Sequence, residues 1–182
     1  MNTLTAVLTR PIAINKTVER ALIVLLFSFL TFAGAMIRIP LPFTPVPITM
    51  QTLVLFMAVY YLDPKELGLS QIIYIAAGLV GAPVFAAGVA GMLALVGPTA
   101  GYLLGFIAAG IVMPLIKSKV KASYLMMAGI FTLGTLIVYA LGSAHLVLVY
   151  KMSIPHAVIA GILPFIAGDV IKIAIASAFF KR

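Results

Sequence analysis

Apolar residues along this chain gather in long blocks, and polar residues gather between the blocks. Six blocks approach the length that carries a helix across a bilayer, roughly Ala21 to Ile37, Ile48 to Leu62, Leu67 to Val84, Gly101 to Ile116, Ser123 to Ser143 and Pro164 to Phe180. A spanning helix needs about 17 to 25 apolar residues, so the second block is short, and the fourth carries Pro114 near its end. The pattern predicts an all-α fold: a polytopic membrane protein with six transmembrane helices. It forms one integral membrane domain over residues 1–182, with a basic arm over residues 1–20.

Composition sharpens this picture. Of 182 residues 64% are apolar and 9% are charged, whereas a soluble domain carries about a quarter. So few charges cannot cover a water-facing surface, and the surplus apolar surface must meet lipid. Cysteine is absent, which excludes disulfides, thiolate-held zinc, iron–sulfur clusters and a cysteine nucleophile. Tryptophan is absent too, which leaves tyrosines to mark the interfaces; Tyr60, Tyr61, Tyr102 and Tyr124 fall near predicted span ends.

The net charge of +8 changes the picture less than its size suggests. Nucleic-acid binding needs basic residues gathered on one wet face, and here they are spread between apolar blocks. They sort by connection instead. Arg10, Lys16, Arg20, Lys65, Lys117, Lys119, Lys121, Lys181 and Arg182 fall on one side, against Arg38 and Lys151 on the other, with Lys172 inside a span. By the positive-inside rule both termini are cytoplasmic, in a multi-pass protein of the cell membrane. A cleavable leader is the rival for the first block, given the basic arm and the small triplet Ala33-Gly34-Ala35; the chain continues into Arg38 and a proline-rich loop with no soluble domain to export.

Two connections are unlike ordinary loops. The first holds four prolines, Pro40, Pro42, Pro45 and Pro47, which fix φ and remove amide donors, so the segment is stiff and extended. It is either a rigid hairpin or a preformed wall of an outward-facing pocket with Phe43 as an apolar face. The third, Phe85 to Ala100, has no charge and carries Gly88, Gly91 and Gly97. Non-helical backbone at membrane depth survives only against protein or a cavity, so this connection is expected to line or cap one. Gly97 to Tyr102 opens the fourth helix, with the Tyr102 ring expected at the outer interface. Pro164 starts the last span, with an interfacial helix before it.

Candidate chemistry concentrates in that last span. Asp169 and Lys172 stand three apart and share a helix face. Counted from Pro164, they lie about 7 Å and 12 Å below the helix end. Intramembrane charges normally face a partner or a cavity. The pair either only orients helices or forms a polar ligand site, the carboxylate accepting N–H bonds and the ammonium donating to an oxygen. Gln51 is a further donor and acceptor, or a cap. His145 and His156 lie far apart in sequence without a nearby acid, and no serine with histidine or paired acids occurs in a span, so neither a metal site nor a catalytic centre is expected. No Gly-x-x-x-x-Gly-Lys-Ser/Thr loop is present, so ATP hydrolysis by that machinery is excluded.

The run Pro42 to Thr49 followed by Gln51, the run Gly81-Ala82-Pro83-Val84-Phe85, the run Gly97 to Tyr102 with Gly105-Phe106, and Pro164-Phe165 with Gly168-Asp169 and Lys172 resemble the BioY family, the biotin-binding subunits of energy-coupling factor (ECF) transporters. The resemblance implies six helices and an outward-facing biotin pocket. It places biotin contacts in the first and third connections and on the last helix, with Asp169 and Lys172 as polar anchors beside Gln51, Tyr102, Phe43 and Phe85. Ala86 and Ala87 depart from the polar or glycine residues the family often carries there. It implies partners as well: an ECF transmembrane subunit, met through a small-residue pair whose nearest match is Thr31 and Ala35, and two ATPase subunits. ATP is then used only by the partners, and the chain has no cofactor of its own. High-affinity biotin capture and uptake is the leading function. A self-sufficient secondary transporter, in which Asp169 also carries a proton, and a non-transporting scaffold are the alternatives.

Overall fold

The computed structural model describes residues 15–180; Arg10, Lys181, Arg182 and most of the basic arm lie outside the described residues. The order of elements is α1 (Lys16–Met36), β1 (Arg38–Ile39), β2 (Ile48–Thr49), α2 (Gln51–Ala58), α3 (Pro64–Leu79), a 3-10 turn (Ala86–Gly88), α4 (Leu93–Val96), α5 (Ala100–Lys117), α6 (Tyr124–Leu148), α7 (Ile154–Gly161) and α8 (Leu163–Ala178). Helices α1, α5 and α6 are each long and apolar enough to cross a membrane. Helices α7 and α8 qualify when taken together, bent by 41° at their junction.

The fold is mostly helical, but the expectation of an all-α chain needs one correction. Arg38 pairs with Thr49 and Ile39 with Ile48 in a two-stranded antiparallel ribbon. The prolines between them cannot donate to a ladder, so pairing is confined to the two ends of the proline run.

The second block also departs from its expected span. Met50 N donates to the Gly34 carbonyl at 3.1 Å and the Ile37 carbonyl at 3.2 Å, which ties this stretch to the end of α1. Helix α2 therefore begins at Gln51 and ends at Ala58. Helix α3 starts earlier than expected because Asp63 and Glu66 form a reciprocal capping box around Pro64. It stops at Leu79, where Gly81 turns with φ +105° and Pro83 follows. Helix α6 runs past Ser143 to Leu148, His145 Nε2 lying 3.0 Å from the Gly97 carbonyl oxygen.

Close helix packing builds the bundle centre. A Cβ on Gly105 of α5 would lie 2.8 Å from Val138 Cα of α6, so only glycine permits this approach. On α1, Leu22, Leu25, Leu26 and Phe29 are exposed on one stripe, while Val24, Phe27, Thr31 and Ala35 are buried. The exposed stripe is the side that hydrocarbon would cover. Thr31 and Ala35 thus pack within the chain rather than offering a surface: the Thr31 hydroxyl donates to the Phe27 carbonyl at 2.8 Å and accepts from Gln71 Nε2 at 3.3 Å. Arg20 and Glu66 tie α1 to the start of α3, and Arg20 Nη1 also donates to the Tyr61 carbonyl at 3.0 Å.

Candidate binding site

The site is built on α8. Asp169 and Lys172, one turn apart, are 4% and 7% exposed, and Lys172 Nζ donates to Asp169 Oδ1 at 2.8 Å. Two other helices complete the cluster. Thr52, in the first turn of α2, donates to Asp169 Oδ1 at 3.1 Å and accepts from Lys172 Nζ at 2.9 Å. Tyr139, midway along α6, donates to Asp169 Oδ2 at 2.6 Å. A buried charge is tolerated when it is paired and its remaining lone pairs and protons are bonded, and this cluster does both.

Gln51 stands beside it. A Cβ on Gly34 would lie 3.1 Å from Gln51 N, so α1 presses directly on the backbone that aims this side chain. Gln51 Nε2 donates to the Tyr74 hydroxyl at 3.0 Å, its Oε1 accepts from the Thr49 hydroxyl at 3.1 Å, and Tyr74 donates onward to the Val84 carbonyl at 3.2 Å. The Phe85 ring lies over Gly78, where a Cβ would collide with it, and meets Tyr74 edge-on at 5.5 Å. Glycine at position 78 therefore lets the third connection fold back and bury Phe85, which is 2% exposed.

On the opposite wall, Tyr102 is buried rather than interfacial as expected. Its hydroxyl donates to the Gly161 carbonyl at 2.8 Å, near the bend between α7 and α8, and its ring contacts Phe165 edge-on at 6.4 Å. Gly142 makes room for that ring.

These groups converge on one cavity. Of the residues singled out in the sequence, Asp169, Lys172, Gln51, Tyr102 and Phe85 line it. Phe43 does not; it is 65% exposed. The adjacent Thr44 is turned inward, donating to the Ala160 carbonyl at 2.7 Å, and the wall is supplied instead by Val46 to Thr49. Thr52, Tyr74, Tyr139 and Phe165 also line the cavity; none is among the contact residues expected from the sequence, although Phe165 belongs to one of the motif runs. A signal for Tyr139 existed: a phenol in the middle of an apolar block needs a hydrogen-bond partner.

The cavity is aromatic and apolar around a small polar cluster, the make-up of a site that orients a small molecule by a few hydrogen bonds. Among the described residues no three metal-ligating side chains converge. His145 is instead placed against the Gly97 carbonyl.

Fold and cavity together define a multi-pass helical membrane protein with an internal, aromatic-walled cavity. The chain belongs to the BioY family, whose model matches residues 5–182. It is 38% identical over 158 residues to the biotin transporter BioY of Thermotoga maritima, covering 86% of this chain and 90% of that one. It is 35% identical over 160 residues to the probable biotin transporter BioY of Pyrococcus horikoshii, covering 88% and 93%. Its fold is similar to the crystal structure of the S-component for biotin from an ECF-type ABC transporter, with TM-score 0.82, 24% identity, and coverage of 93% of this chain and 92% of that chain.

Proposed function

We propose that the chain captures biotin with high affinity and serves its uptake as the substrate-binding S component of an ECF transporter, a transporter subunit rather than an enzyme. Family membership supports the substrate, since the chain matches most of the length of a biotin transporter and of a probable biotin transporter. The observation that carries the site is the meeting of Asp169, Lys172, Thr52, Tyr139 and Gln51 in one aromatic-walled cavity. Biotin has a fused ring pair with a urea edge and an aliphatic chain. Such a molecule asks for an apolar cavity with a few polar groups at one end.

In this reading Asp169 accepts a ureido N–H, Lys172 donates to an oxygen, and Gln51, Tyr102 and Phe85 shape the walls. The six-crossing topology, with both termini cytoplasmic and the cavity opening outward, belongs to the same reading. Helix α3 is about 24 Å long at 1.5 Å per residue, and α2, with eight residues, is about 12 Å long. Energy comes from partners of the ECF type, a transmembrane subunit with two ATPase subunits, in the cell membrane.

Titration of the purified protein with biotin in the absence of ATP tests the reading. Tight binding without nucleotide is expected. Binding that appears only with ATP, or none at all, sinks it. Uptake by cells that lack every ECF ATPase module separates this function from a self-sufficient transporter.

A further inference from the structure

A second cavity adjoins the first. Arg38, Leu41 and Thr44 line it from the first connection, and Val89, Ala94 and Gly97 from the third. Pro47, Ala86 and Thr99 line both cavities, which therefore share this wall. The second space is named the vestibule for its place beside the pocket.

Charge distinguishes the two. Asp169 and Lys172 cancel in the inner pocket, and two of the three N–H donors of Lys172 are committed to Thr52 and Asp169. In the vestibule wall Arg38 is the charged side chain. Among the described residues it joins no ion pair; those present are Arg20 with Glu66 and Lys172 with Asp169. Its backbone is held by the ribbon pairing to Thr49, so the guanidinium is presented from a fixed strand rather than a loose loop. An anionic group arriving here meets an uncompensated cation at Arg38.

We propose that the vestibule is an outer subsite that reads a carboxylate: Arg38 pairs with the acid end of the ligand while its neutral ring end occupies the aromatic pocket at Asp169 and Lys172. This rests on the reading of the chain as a biotin-capture protein and adds the specificity for the tail. Biotin separates a neutral ring pair from a carboxylate by a flexible aliphatic chain. The structure sets a charge-neutral pocket and a cationic vestibule side by side in the same order, divided by Pro47, Ala86 and Thr99. A guanidinium fork matches a carboxylate with two parallel hydrogen bonds, which an amide or ester in the same place cannot accept equally well.

The test compares biotin with biotinamide, which is neutral at the tail, on the parent, Arg38→Gln and Arg38→Lys. The parent is expected to favour biotin by roughly fivefold, the scale of a partly solvated ion pair. Arg38→Gln loses that preference by weakening biotin alone, and its unchanged affinity for biotinamide reports that it folds. Arg38→Lys keeps part of the preference because it retains charge but not the fork. Equal loss for both ligands in Arg38→Gln overturns the proposal, as does a parent that treats the two alike. A preference that survives Arg38→Gln but disappears in Lys172→Met also overturns it, by placing the carboxylate inside. A parent that binds neither ligand brings down the biotin reading itself, a result distinct from all of these.

Discussion

Asp169 holds its place through bonds from three side chains, so its replacement is felt in more than one of them. Asp169→Asn removes the charge that Lys172 answers and leaves a buried ammonium unpaired. Biotin affinity is expected to fall about 30- to 1000-fold, the range for truncating one partner of a buried charge pair. Lys172→Met acts in the same direction, and Lys119→Met leaves affinity unchanged; calorimetric titration reads all three. Should a protein carrying both Asp169→Asn and Lys172→Met fold and bind like the parent, the pair is structural. Tyr139→Phe leaves Asp169 Oδ2 without its 2.6 Å bond and is expected to weaken biotin about 10- to 100-fold, as for other hydrogen bonds to charged groups. A binding constant that does not move would remove Tyr139 from the site. The charged pair was legible in the sequence because charge inside an apolar block has few explanations. Phe43 and Tyr102 were misplaced because interfacial and buried aromatics look alike until the rotation of each segment is known.

Helix packing sets where those side chains meet. Gly105 lies against the Val138 backbone, and Gly105→Val is expected to push α5 from α6 and cost about 1 to 3 kcal/mol, as overpacked cores do. Gly129→Ala is the control: its Cβ would meet nothing within 4 Å, and removing a helical glycine gains up to about 1 kcal/mol. Thermal unfolding in detergent distinguishes them; equal midpoints for the two variants would contradict the packing described. Helix existence was readable from apolar runs, yet α2 and α3 shifted by several residues. Their limits are set by local bonds that hydropathy does not register: Met50 tied to α1, and the Asp63–Glu66 capping box. The ribbon was hidden for a similar reason, since a proline run announces stiffness without saying which flanking residues pair.

Across the whole molecule, the arrangement of basic residues sets the expected orientation. Cysteines placed at Lys119 and Lys151 in this cysteine-free chain are expected to react on opposite sides of the membrane with an impermeant thiol reagent. Equal labelling from outside would contradict six crossings. A chain built mostly of apolar helices was the part the sequence made plainest, while the cavity was legible only in outline. Its polar members lie on α2, α6 and α8, and the sequence does not say which faces of three helices turn toward one another.

The Asp169 cluster has one more consequence, for molecular complementarity. Asp169 Oδ1 accepts two bonds and Oδ2 accepts one, while Lys172 donates two. By valence, a carboxylate has about four acceptor sites and an ammonium three N–H groups, so one acceptor and one donor remain uncommitted. The cluster is thus self-supporting in a hydrocarbon setting and still leaves a two-letter word free for a ligand, one donor beside one acceptor. The edge of a cyclic urea spells its complement, an N–H next to a C=O. Methylating both ureido nitrogens of biotin would erase half of that word and crowd the urea edge while leaving the tail intact, turning a recognised molecule into a merely greasy one.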